Sequence, residues 1–287
     1  MSKPTLGLVM IVKNESAQLE RCLAAARPLI DTWTICDTGS TDDTPKRVRA
    51  ALKGIPGVLR RHKWVNFGHN LTLAHRSAQN RSRWMLWLHA DMTVMPDEKF
   101  LPWLRRQKTR LDAFSVEVGD GVRSYRLPLL MRGDIDWHYV GATHEYLDRV
   151  DGKPVAKAPL NGLYVYHHAD GSNRPDKFER DIELLRPGVL AGDPRATFYT
   201  AESYRYAGQV AQAVHFYGMR MMLNGFEEER WYAQYQIAVL TKNVEALFEC
   251  WRERPWRHEP LTAAARLVAT EHPAADGDIL FLEPSPM

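Results

Sequence analysis

Three short segments of this chain place carboxylates, imidazoles and amides directly after apolar runs. Lys13-Asn14-Glu15 follows Leu6 to Val12, Asp37 with Asp42 and Asp43 closes Thr32 to Asp37, and His89-Ala90-Asp91 closes a run that begins at Trp84. A carboxylate at a strand end can accept the imide hydrogen of a pyrimidine base. A second one near a diphosphate can hold Mg2+ or Mn2+, which take oxygen ligands and bridge phosphates. Other chemistries lack their residues. There is no GxxxxGK[ST] phosphate loop, no GxGxxG fingerprint and no Gly-x-Ser-x-Gly elbow. His144-Glu145-Tyr146-Leu147-Asp148 opens like a zinc-protease helix but has Asp where the second His is required. Cys22, Cys36 and Cys250 are odd in number and form no CxxC pair, which supports neither a disulfide framework nor a cysteine zinc site and fits a reducing compartment.

The elements that must position these groups follow from periodicity. Leu6 to Val12 reads as a buried strand, and Leu19, Cys22, Leu23 and Ala26 give the helical spacing after it. Thr32 to Asp37 reads as the next strand, with Thr44 placed to cap a helix, Pro45 in its first turn and Gly54 at its end. Val58 to Val65 and Trp84 to His89 continue the strands, with a helix opening at Phe67-Gly68-His69-Asn70. Strands alternating with helices predict a mostly parallel α/β sheet with helices on both faces, whose ligands bind beyond the carboxyl ends of the strands. Asn14, Asp37 and Asp91 all fall there. Further strands are expected at Ala113 to Val118, Tyr125 to Met131 and Leu160 to His167.

Beyond Asp176 the pattern is helical, over Lys177 to Leu185, Ala196 to Ala207, Val210 to Leu223 and Glu227 to Leu240. Ala201, Tyr204, Gly208, Ala213 and Tyr217 follow the order of a tetratricopeptide-type repeat. The expected organisation is an α/β domain over 1–172 and a helical tetratricopeptide-like region over 173–287, with an irregular tail around Pro273, Pro284 and Pro286.

The chain has 287 residues, 45% of them hydrophobic and 25% charged, which excludes disordered and fibrous classes. Leu6 to Val12 is too short for a signal peptide, and no run approaches the roughly 20 apolar residues of a membrane span. The expectation is a soluble, cytoplasmic protein. Residues 1–110 carry 19 Lys and Arg against 9 Asp and Glu, and the remainder 19 against 26. The first part therefore either handles an anionic partner or presents a solvated basic face.

In six ordered segments the chain resembles the family 2 glycosyltransferases of the GT-A fold, in the branch with a tetratricopeptide-like tail. These are Met10-Ile11-Val12-Lys13-Asn14-Glu15, Cys36-Asp37-Thr38-Gly39-Ser40-Thr41-Asp42, Phe67-Gly68-His69-Asn70, His89-Ala90-Asp91-Met92, Trp137-His138-Tyr139-Val140-Gly141 leading to His144-Glu145-Tyr146-Leu147, and His167-His168-Ala169-Asp170-Gly171. The resemblance implies inverting, metal-dependent transfer of a hexose from a UDP-sugar. It places the donor on Val12, Lys13, Asn14, Glu15, Asp37, Asn70, His89, Ala90 and Asp91. It places Mn2+ or Mg2+ on Asp91, His89, His167 and His168, the catalytic base at Glu145, and the acceptor on Trp137, Tyr139 and His144. His89 stands where the family's DxD motif begins with Asp, and Leu71 where relatives usually carry Arg. The histidine offers a nitrogen ligand that Mn2+ accepts more readily than Mg2+.

The acceptor needs a separate argument. Basic clusters at Arg60-Arg61-His62-Lys63, Arg76 to Arg83 and Arg105 to Arg110, with Trp64, Trp84 and Trp103, suit a phosphate backbone. DNA with a hydroxymethylated base, such as 5-hydroxymethylcytosine, is then the favoured acceptor, since flipping presents a primary hydroxyl. A protein or peptide on the helical tail, a surface or lipid-linked glycan, and a non-catalytic adaptor on a transferase-like fold are the alternatives.

Overall fold

The computed structural model describes residues 3–170 and 176–271, in two compact units, Met1–Pro175 and Asp176–Met287. Gly171 of the last matching segment and the proline-containing tail lie outside the described residues.

The first unit is built on an eight-stranded sheet. Its strands are β1 (Leu6–Val12), β2 (Thr32–Asp37), β3 (Gly57–Arg61), β4 (Trp84–Trp87), β5 (Met92–Pro96), β6 (Ala113–Gly119), β7 (Ser124–Arg132) and β10 (Lys157–His167). Their order is β3-β2-β1-β4-β7-β6-β10-β5. β1 pairs in parallel with β2 and β4, β2 with β3, and β10 with β6, while β7 and β5 run antiparallel to their neighbours. Six strands thus point the same way, and their carboxyl ends share one edge. β1 is almost wholly buried and β2 entirely so, as continuous apolar runs in a sheet covered on both faces must be.

The helices are α1 (Leu19–Ala26), α2 (Thr44–Ala51), α3 (Phe67–Ala78) and α4 (Phe100–Arg106). Right-handed crossovers from β1 to β2 to β3 put α1 and α2 on one face, where they pack together. The return from β3 to β4 puts α3 on the other. A second, two-stranded sheet, β8 (Trp137–Val140) with β9 (Tyr146–Arg149), packs on α3. The mixed α/β expectation holds, with local differences. The third strand stops at Arg61, four residues before Val65. Thr44 is the first helical residue rather than the cap, because its hydroxyl accepts the Glu15 N–H from the neighbouring loop at 2.8 Å.

The second unit is helical: α5 (Lys177–Leu190), α6 (Pro194–Tyr206), α7 (Val210–Met221), α8 (Glu227–Leu240), α9 (Val244–Glu253) and α10 (Glu259–Glu271), each packed on the next. α5 continues past the predicted Leu185 through Pro187. Ala201, Ala213 and Tyr217 are fully buried between α6 and α7, and Gly208 turns the chain with φ +74°. Arg220 is also fully buried. Its guanidinium donates to the carbonyls of Leu223 (3.0 Å) and Phe226 (2.8 Å) and lies 3.5 Å from Glu229, which Arg195 reaches from α6 at 3.0 Å. Among the described residues no helix is long and apolar enough to cross a membrane.

One close approach fixes the β8–β9 hairpin. A Cβ on Gly68, in the first turn of α3, would lie 2.1 Å from the Gly141 carbonyl oxygen and 3.0 Å from that of Tyr139. Gly68→Ala is therefore expected to push the hairpin off α3 and to destabilise the protein by about 1–3 kcal/mol. Thermal unfolding checks this, and an unchanged Tm would show that the hairpin yields without cost.

Candidate active site

At the carboxyl edge, the loops after β1 and β2 are tied into one piece. Val12 is buried, and its carbonyl accepts the Thr38 N–H (2.9 Å) and hydroxyl (3.2 Å). Asn14 adopts φ +57°, a left-handed conformation that asparagine tolerates better than most side chains. Its N–H donates to Ser40 Oγ (3.0 Å), and its Oδ1 accepts the Thr41 N–H (2.8 Å). Half-buried Lys13 and Glu15 flank it. Asp37 is 2% exposed at the end of β2. Its Oδ1 accepts the Ser40 N–H at 2.9 Å and its Oδ2 lies 3.3 Å from Nε of the exposed Arg61. A buried carboxylate oriented in this way is a fixed acceptor at the mouth of the edge.

The end of β4 supplies the second carboxylate. Ala90 is buried, and the half-buried His89 ring stands edge-on to Trp87 with centroids 4.6 Å apart. Burial lowers the His89 pKa, with the Asp91 charge opposing and His167 assisting. His167 ends β10, where the register sets it opposite Met92, and its Nε2 lies 3.2 Å from Asp91 Oδ2. The hydrogen bond to Asp91 raises the His167 pKa against the opposing effect of burial. The His168 N–H donates to the Asp91 carbonyl (3.0 Å), but its ring Nε2 turns to Thr93 Oγ1 (2.9 Å).

The expected four-residue metal set is therefore only partly assembled. Asp91 and His167 converge, whereas among the described residues no three His, Cys, Asp or Glu side chains form a metal-sized cluster. This donor set fits an ion shared with a substrate diphosphate rather than an all-protein cage.

The third contribution comes from α3 and the hairpin. Because α3 follows β3, its N-terminus lies at the same edge. The Phe67 N–H donates to the Ala142 carbonyl (2.9 Å), and the Tyr139 N–H to Thr72 Oγ1 (2.9 Å). The segment carrying His144 and Glu145 is thereby held at that end of the helix. His144 is exposed with φ +51° and Glu145 is half-buried. The Tyr139 hydroxyl is pushed well above its usual pKa by burial and then by the Glu145 charge. Its ring lies 5.8 Å from Trp87, so Glu145, Tyr139, Trp87 and His89 follow one another along the wall.

Two expected contacts have other roles. Asn70 is buried and uses its amide on its own loop, accepting from the Val65 N–H (2.9 Å) and donating to the Lys63 carbonyl (3.0 Å). Trp137 is 1% exposed and donates to the Arg132 carbonyl, so it supports the hairpin from the core. Leu71 is fully buried, which leaves no room at that position for a charge directed to a phosphate.

The nucleic-acid face loses part of its support. Trp84 is 2% exposed, Trp103 packs against the core, and Arg83 is spent on the carbonyls at the end of α4. Conversely, Tyr125 was not singled out by its sequence, yet its hydroxyl lies 3.5 Å from His167 Nδ1 and the residue is 48% exposed. Only the antiparallel pairing of β7 with β6 brings it there.

The fold is a mostly parallel α/β sheet whose polar and titratable residues gather at the carboxyl ends of its strands. Residues 8–152 match the model of Glycosyl transferase family 2, and the chain belongs to this family and is a glycosyltransferase. Among solved structures it is similar to S. aureus TarS 1–349, at 11% identity and a TM-score of 0.50, over 96% of this chain and 93% of that one. The same protein in complex with UDP-GlcNAc aligns over 88% and 90% with a TM-score of 0.49 and 11% identity. Glucosyl-3-phosphoglycerate synthase from Mycobacterium tuberculosis, in complex with Mg2+ and uridine diphosphate, aligns over 40% of this chain and 44% of that one, at 23% identity and a TM-score of 0.32. No curated protein matches the chain.

Asp42 makes the loop tie sensitive to pH. The small loss of water around it opposes ionisation, but hydrogen bonds from Thr44 and Ser16 win and hold its pKa at about 2. A carboxylate with a depressed folded pKa stabilises fully above its unfolded pKa, about 4, and loses that contribution as pH falls through about 2. Asp42→Asn should therefore lower the Tm at pH 7 and approach wild type at pH 2. An equal gap at both values would show that charge does not hold the loops.

Proposed function

We propose that the first unit transfers a hexose from a UDP-sugar to an acceptor hydroxyl with inversion. The observation that carries this reading is the convergence on one sheet edge of a buried, oriented carboxylate, Asp37, and a histidine-backed one, Asp91. Asp37 reads the uracil imide, with Val12 to Glu15 bordering the base and ribose. Asp91 and His167 would hold Mn2+ or Mg2+, and the ion would supply charge neutralisation for the departing diphosphate. His89 and Ala90 line the passage between them.

Glu145 accepts the proton of the acceptor hydroxyl as that oxygen bonds to the anomeric carbon. The bond from that carbon to the diphosphate oxygen breaks, and UDP carries the electron pair away. A single base with direct displacement inverts the anomeric centre. Tyr139 and His144 border the acceptor. Ala201, Gly208, Ala213 and Tyr217 support reading the second unit as tetratricopeptide-like. Three free, buried cysteines suit the cytoplasm. Among acceptors, the exposed Arg60 near the end of β3 and Lys63 just after it favour an anionic polymer such as hydroxymethylated DNA.

The test is release of UDP from a panel of UDP-sugars with Mn2+ or Mg2+, alone and with hydroxymethylated DNA or a peptide mixture, followed by mass spectrometry of the acceptors. Wild type is expected to bind UDP and add a hexose. Asp91→Ala should cut turnover at least 100-fold, and Glu145→Gln should do so while leaving UDP affinity within about threefold of wild type. No UDP binding and no cleavage of any donor would instead favour the non-catalytic adaptor.

A further inference from the structure

The two arms of the Asp91 site reach the sheet edge by different routes. His89 and Asp91 follow β4, whereas His167 ends β10 and His168 follows it. The β10–β5 pairing and the His168 N–H bond to the Asp91 carbonyl join them through the backbone, and α1 touches both from one side.

Gln18 caps α1, and Arg21 and Cys22 lie in it, at the i, i+3 and i+4 spacing that shares one helix face. Gln18 Nε2 donates to the Asp170 carbonyl at 2.7 Å. Arg21 Nη2 donates to both oxygens of the Asp170 carboxylate, at 2.7 and 2.9 Å. Cys22 Sγ donates to the His89 carbonyl at 3.3 Å. One helix face therefore grips the backbone of the β4 arm and both backbone and side chain of the β10 arm. The same helix begins just after the Lys13-to-Ser16 corner expected to border the nucleotide.

We infer that Arg21 is a positioning residue. Through its carboxylate pair with Asp170 it holds the segment after β10 so that His167 meets Asp91 in the geometry that receives a metal-bound nucleoside diphosphate. This inference rests on the donor site proposed above. Both partners are substantially exposed, 38% and 47% by side chain, and exposed pairs of this kind add little to stability. Their effect falls on geometry, where a displacement of about 1 Å is enough to cost roughly 100-fold.

The experiment measures the Kd of UDP by calorimetry with and without Mn2+, alongside Tm, for wild type, Arg21→Ala, Arg21→Lys and the exchange Arg21→Asp with Asp170→Arg. Expected are a rise in Kd of about tenfold in the presence of Mn2+ for Arg21→Ala, with little change in its absence, and a Tm close to wild type. Arg21→Lys keeps the charge but not the planar guanidinium that places Nη2 between the two oxygens, and should fall between; the exchange should return to within about threefold of wild type. Wild-type affinity in Arg21→Ala, or an equal loss with and without Mn2+, overturns the inference, as does an exchange no better than Arg21→Ala. A wild type that does not bind UDP fails the donor reading itself, a separate outcome seen before any variant is made.

Discussion

The site hangs from the parallel pairing of β1 with two neighbours at once. Its register sets Val12 beside Asp37 on one flank and Val9 beside Trp87 on the other. Buried on both faces, β1 is not pinned by a polar face, but a slip of one residue would carry Val12 past Asp37 and break the Thr38 N–H bond to the Val12 carbonyl that joins the two loops. With β1 fixed, the loop carbonyls and hydroxyls at its end find their partners in the β2 loop, and the apolar core sets the position of both acids. The polar chemistry at the edge is thus placed by apolar packing several residues away.

What was legible in the sequence follows from this. β1 and β2 were readable to the residue because a strand buried on both faces leaves a continuous apolar run. The acids after them were then readable as edge groups. α8 was equally clear, starting at the acidic Glu227-Glu228-Glu229 turn and ending at Leu240. β5, β8 and β9 were not, because each mixes polar and apolar residues over four or five positions, whereas the equally short β4 is a wholly apolar, wholly buried run. They exist because β10, α3 and each other offer backbone partners.

The same distinction separates the site residues. Asp37 and Asp91 were visible as acids at strand ends, and Glu145 from its segment's resemblance to the family. The separate fates of His167 and His168 were invisible, since adjacent strand residues face opposite ways and only the pairing with β5 decides which one meets Asp91. Asn70 and Trp137 show the opposite limit. A polar or aromatic side chain in a family motif contacts the ligand or supports the wall that does, and only burial and hydrogen-bond partners separate the two.

Arg220 gives the helical unit a property that its pairwise stacking does not. Stacked helix pairs ordinarily lose structure from an end inward, each interface failing by itself. Here a guanidinium sealed at 0% exposure holds the turn between α7 and α8 and shares Glu229 with Arg195 of α6. Opening any one of the three strands a buried charge, at a cost of several kcal/mol. Fraying that begins at α10 should therefore halt at α8, and the stretch from α6 to α8 should come apart as a single cooperative block.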